Sequence, residues 1–366
     1  MEVLLEQLLE RWEQAFDELE TFSANKELVK GVQYPDGLPY DLTEIDENFF
    51  PEWEPMANEG RFTYQDTFVE FVKFNLDTRV PSVLKRMEFQ DGKKISFQSI
   101  VINGSGAPAF SQMSKEEIIN QIRNDGYSMI STVTRYEYGQ TGRIEKSFSI
   151  HIAPGLGKYT SYDVYTYGED QVLDAIRTFF EQGTNRITYS RIPEDMTPET
   201  LVDTFSAALA ESIAKALEDQ PPAQPIALLE LSYHYADVYI PSLVCQSAQK
   251  VAERIANKDF PFIPDDYYSA LKIETKPLEH FFAQLDQMMK EDANAELGRK
   301  TLRKAASILT RNKLFGKLEV TEDFAAYALD WSVEGYDDAN FEEILVECGV
   351  EQHVISKWRK SGMLRD

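Results

Sequence analysis

The stretch that decides the fold is YSMISTVTRYEY (127–138), GQTG (139–142) and RIEKSFSIHIA (143–153). β-Branched, aromatic and apolar residues alternate with polar ones on both sides of a four-residue turn held by Gly139 and Gly142. Period-two alternation around such a turn reads as an antiparallel hairpin. Working outward, Ile95, Phe97, Ile100 and Ile102 mark a strand, and so do Tyr162–Tyr167 and Arg186–Ser190. Helices interrupt this pattern. Leu5, Leu8, Leu9, Trp12, Phe16, Leu19 and Phe22 recur every three or four residues, with Glu6, Glu10, Glu13, Asp17 and Glu20 on the other faces. Ser114 and Glu117 form a capping box that opens a helix over Lys115–Asn124. Asp66–Met87 reads as a helix, and Asp170–Gln182 reads as a second one ended by Gly183. The expectation is an α+β domain with a largely antiparallel sheet.

A chain of 366 residues is too long for one ordinary core. Pro193-Glu194-Asp195-Met196-Thr197-Pro198 is the clearest boundary, so two domains are expected, residues 1–192 and 193–366. Thr197 as N-cap with Pro198 at the first helical position starts a long helix to about Asp219, which Pro221, Pro222 and Pro225 terminate. Ile226–Tyr235 and Val238–Cys245 read as a hairpin around Ala236-Asp237. Helices follow at Gln246–Asn257, Leu278–Lys290 and Ala293–Asn312, then a strand at Asp323–Trp331 and two terminal helices. Each domain is expected to pack a largely antiparallel sheet with helices, the second being more helical.

Charge gives the strongest functional signal. Asp and Glu number 62 against 37 Lys and Arg, a formal charge of -25. Residues 1–60 carry roughly half of this excess. Such a field attracts basic partners and repels nucleic acid and anionic membranes. Within residues 31–60, Asp41, Glu44, Asp46, Glu47, Glu52 and Glu54 interleave with Phe49, Phe50 and Trp53. Carboxylates there would steer a cationic protein and the aromatics would anchor it, which makes these nine residues the candidate partner-binding set. The opening segment is acidic and amphipathic, unlike a signal peptide, and no apolar run is long enough to cross a bilayer. A cytoplasmic protein is the expectation.

Motifs for chemistry are thin. Cys245 and Cys348 lack CxxC spacing and read as free thiols. His151, His234, His280 and His353 lie at no metal-ligand spacing. His151 and His234 fall inside strand patterns among apolar neighbours and read as satisfied sheet histidines, with a place in a dispersed catalytic site as the alternative. Gly155-Leu156-Gly157-Lys158 lacks the first Gly and the Ser or Thr of a phosphate loop. Asp330–Phe341 lacks the final carboxylate of a calcium loop. No residue set calls for a cofactor or a metal. Cys348–Trp358 resembles the turn and second helix of a helix-turn-helix, offering Glu351, Gln352 and His353 to a groove. Leu345, however, stands where that motif needs a small residue. Arg299, Lys300, Arg303, Lys304, Arg311, Lys313 and Lys317 form the only basic run, readable as a phosphate-contacting face, as a solvated helix face or as a helix docked on the chain's own acid.

Three segments of the C-terminal half carry a resemblance: ETLVDTF (199–205), IALLELSY (226–233) and DFAAYALD (323–330). Together they resemble an uncharacterised bacterial domain family over roughly residues 193–366. In its acidic α+β character the chain is similar to bacterial toxin-neutralising immunity proteins. That similarity implies a non-enzymatic protein that masks a basic partner. A DNA-binding regulator using the C-terminal helices and an enzyme with a dispersed site are the alternatives.

Overall fold

The structure is a computed structural model that describes residues 1–18, 60–65, 67–75, 77–105, 107–124, 129–221, 224–233, 241–257, 259, 262, 273–291, 296–312, 318–331, 334 and 338–364. It divides into two compact units, Met1–Thr188 and Tyr189–Asp366. The architecture is α+β.

The first unit opens with helix α1 (Glu2–Ala15), which continues as a 3-10 turn over Phe16–Glu18. A long meander follows: β1 (Gly60–Gln65), β2 (Phe68–Asn75), β3 (Val80–Gln90), β4 (Lys93–Ile102), helix α2 (Lys115–Asn124), β5 (Met129–Tyr138), β6 (Ile144–Ala153), β7 (Gly157–Tyr167), β8 (Leu173–Phe180) and β9 (Asn185–Ser190), whose last two residues fall in the second unit. The nine strands are hydrogen-bonded in sequence order, and β1 to β8 pair antiparallel. The β5–β6 hairpin closes as its sequence dictates. Gly139 N–H donates to the Arg143 carbonyl at 2.8 Å, and Gly142 sits at φ +79°, a left-handed conformation that suits glycine. The capping box also forms, with Ser114 N–H donating to Glu117 at 2.8 Å and Glu117 N–H to Ser114 Oγ at 3.3 Å.

Two helices expected here are strands. Asp66–Met87 holds β2 and most of β3, turned by Asn75, whose Oδ1 accepts from the N–H groups of Asp77 and Thr78 at 3.2 and 3.1 Å. Asp170–Gln182 contains β8, and Gly183 at φ +84° serves the turn into β9 rather than a helix end. In both segments apolar residues fall on both sides of the strand, so their spacing imitates a helix. Cross-strand pairing with a preformed neighbour decides the outcome, as it does wherever tertiary context overrides local propensity.

Register places Leu84, Ile100, Val133 and Ile150 on one face of this sheet. Leu5, Leu8, Trp12 and Ala15 of α1 and Ile118 and Ile122 of α2 complete that core. Trp12 is fully buried, and its Nε1–H donates to the Pro81 carbonyl at 2.9 Å.

The second unit contains α3 (Pro198–Asp219), β10 (Ile226–Tyr233), β11 (Ser242–Ser247), α4 (Ala248–Asn257), α5 (Glu279–Glu291), α6 (Glu296–Asn312), β12 (Val320–Asp330), α7 (Asp338–Glu347) and α8 (Gln352–Ser361). Thr197 caps α3 through its hydroxyl, which accepts from Thr200 N–H at 3.2 Å. The sheet order is β11-β10-β12. β10 pairs antiparallel with β11 but parallel with β12, so the largely antiparallel expectation holds only for the first sheet. A helical crossover through α4, α5 and α6 separates the two parallel strands, as a parallel connection requires. β10 is buried along its whole length, which explains its continuous apolar run. The strand β11 begins at Ser242, later than expected, and the expected turn at Ala236-Asp237 lies outside the described residues.

Candidate functional site

Asp41, Glu44, Asp46, Glu47, Phe49, Phe50, Glu52, Trp53 and Glu54 lie outside the described residues, as does His234. Among the polar clusters of the described residues, two bear most on a candidate site, one in each unit.

In the first unit, the sheet face opposite α1 carries a hydroxyl, imidazole and carboxylate seam. Alternation sends Ser147, Ser149 and His151 of β6 and Ser161, Asp163 and Tyr165 of β7 to this same face. His151 Nδ1 lies 3.1 Å from Thr132 Oγ1, and its Nε2 lies 2.9 Å from Ser161 Oγ. The Tyr159 ring stacks on the imidazole at 4.8 Å. Asp163 accepts from Ser147 Oγ at 2.7 Å and Thr178 Oγ1 at 2.6 Å. Thr134 and Ser149 pair at 2.8 Å. Burial lowers the His151 pKa, and the Asp163 charge opposes this only in part. The imidazole is therefore neutral near pH 7 and could accept a proton from Ser161. A nucleophile at Ser161 would also need amide donors for an oxyanion. β7 lies between β6 and β8, so its amides are committed to the ladders. The seam satisfies its own groups, as buried polar groups in a sheet must.

In the second unit, Arg299, Arg303 and Lys304 of the basic run lie on α6 and are held by the chain's own acid, while Lys300 and Arg311 on the same helix have no carboxylate partner among the described residues. Arg303 Nη2 lies 2.5 Å from Glu334 Oε1, and its Nη1 pairs with Glu347. Arg299 pairs with Glu296 at 3.1 Å and Glu334 at 3.5 Å, and Lys304 pairs with Asp203. Burial lowers the Arg303 pKa, but Glu334 and Glu347 outweigh it, and the net shift is upward. Lys313 and Lys317 lie outside the described residues. Beneath this knot, Glu230 is buried in β10 and accepts from Trp331 Nε1–H at 2.8 Å and Tyr327 O–H at 3.1 Å.

The terminal helices α7 and α8 meet at Gly349, whose φ of +82° fits the tight turn the sequence indicates. Leu345, Val350, Ile355 and Trp358 are buried in the core. Glu351 and His353 are exposed and lie 2.9 Å apart. Lys357 and Arg359 pair with Asp323 and Glu342. His280 Nδ1 lies 2.9 Å from Ser190 Oγ. Gly155 and Gly157 form the turn between β6 and β7, both at positive φ. Cys245 and Cys348 are free, and burial pushes each thiol up to about 12. Among the described residues no group of three or more His, Cys, Asp or Glu could hold a metal, and no helix is long and apolar enough to cross a membrane.

Sequence reading named His151 and the arginines but missed their partners. Asp163 and Ser161 were findable, since they repeat the two-residue spacing of Ser147, Ser149 and His151 on the next strand. Glu334 was not, because nothing in its neighbourhood sets it apart from other acids. No family model, curated protein or solved structure matches the chain.

Proposed function

We propose that the chain is an acidic binding protein that masks a basic protein partner, in the manner of a cytoplasmic bacterial immunity or inhibitor protein. One observation supports this reading: many of the described cations are engaged by the chain's own carboxylates, on both units. Arg11 holds Glu70 and Glu18, Lys115 holds Asp17 and Arg123 holds Glu13 in the first unit. In the second, Arg299, Arg303, Lys304, Lys357 and Arg359 are similarly engaged. With 62 acids to 37 bases, an excess of 25 carboxylates remains even when every cation is matched. These have water, small cations or a basic partner as counter-charge. Steering by such a surface raises association rates by ~10–10³-fold and weakens with salt.

The test is affinity capture from the host of origin with wild-type protein and with Asp41, Glu44, Asp46 and Glu47 all changed to Lys. A basic protein held by wild type, eluted by salt and missed by the variant is the expected result. Capture that is indifferent to both salt and charge reversal refutes the proposal.

A further inference from the structure

Helix α3 bears a groove of about 300 Å³ with an apolar floor. Ala208, Ser212 and Ala216 follow one another at four-residue intervals and keep the helix surface low, while Pro277 and Leu278 form the facing wall. Along the next ridge stand Glu211, Lys215 and Asp219, with Glu274 opposite. Lys215 is held by Glu274 at 3.2 Å. Glu211 and Asp219 have no partner among the described residues. Asp219 also ends α3, whose last turn has no basic residue. A carboxylate there faces the negative end of the helix dipole, an arrangement that a cation would relieve.

We infer that this groove seats cationic side chains from an extended segment of the basic partner. The inference rests on the proposed function and names a place for it. An arginine or lysine combines an apolar stem with a charged head, which matches an apolar floor beneath acidic rims. Glu211 and Asp219 are eight residues apart on one helix, so they stand about 12 Å apart along its axis. An extended chain with a cation at every fourth residue spans about 13 Å, close to that interval.

The experiment uses the full chain and fluorescein-labelled hexa-arginine, read by anisotropy at low and high salt. Three variants accompany wild type. Glu211→Gln/Asp219→Asn removes the two open groove charges, and Ser212→Phe fills the groove without changing charge. Glu116→Gln/Glu137→Gln removes the same charge from exposed positions elsewhere. Circular dichroism checks the fold of each. The groove variants should bind roughly tenfold more weakly and the control pair less than about twofold. Equal losses in the groove and control pairs would overturn the groove while leaving the acidic-binding reading in place. If wild type shows no salt-sensitive binding, both fall.

Discussion

Changing Arg303 to Met should destabilise the second unit by about 2 kcal/mol, a figure built from what each partner loses. The Arg303 side chain is only 12% exposed, and so is that of Glu334, 2.5 Å away. Removing one partner of a buried pair costs about 3–5 kcal/mol when the other charge is stranded. Glu334 would not be wholly stranded, because Asp330 N–H at 2.9 Å and Arg299 Nε at 3.5 Å remain. Glu347 is 55% exposed and returns to water at little cost. Arg303 Nε is buried without an acceptor, so its removal gives a little back. Met keeps the apolar stem. The assay is urea unfolding followed by the fluorescence of Trp331 and Trp358, where the midpoint should fall by about 1 M. Adding Glu334→Gln should recover part of the loss, since a neutral amide no longer needs the cation. A midpoint shift below about 0.2 M, or no recovery in the double variant, would show that α6 is not neutralised in the way described.

Three further outcomes follow from particular side chains. Trp12→Ala empties a fully buried site and removes the bond to Pro81, so it should cost about 3–5 kcal/mol in chemical denaturation of the first unit; a loss under about 1 kcal/mol contradicts the packing. Burial depresses the His151 pKa, so the unfolded chain takes up the proton more readily than the folded one. Stability should then fall as pH drops through the ordinary histidine range near 6.5, by at most about 1.4 kcal/mol per pH unit, and His151→Gln should flatten that slope. Equal slopes in wild type and variant would refute it. With both thiols pushed up to about 12, Cys245 and Cys348 should resist a thiol-disulfide reagent at pH 8 in native protein and react in urea; prompt native labelling at Cys348 contradicts its burial.

Local rules were legible where neighbours in sequence also decide the structure. The Gly139–Gly142 turn, the Ser114–Glu117 box and the Thr197 cap each close within a few residues, and each formed as read. The strands β2 and β8 were misread because their partners are other strands of the sheet, and apolar residues on both faces hide the two-residue period. The parallel pairing of β12 with β10 was hidden for the same reason, since nearly ninety residues of crossover separate them. Function was less legible still. Net charge is a property of composition and survives any fold, whereas the partners of Arg303 lie 31 and 44 residues away in the sequence. Whether the cations were open or engaged therefore could not be read before the fold was known.

The most direct test is the salt dependence of the association rate with the captured basic partner, measured by stopped flow. Surplus carboxylates acting at a distance predict a rate that falls at least tenfold between about 0.05 M and about 0.5 M salt, with a dissociation rate that changes far less. An association rate that holds steady across that range would mean that the negative surface plays no part in recognition.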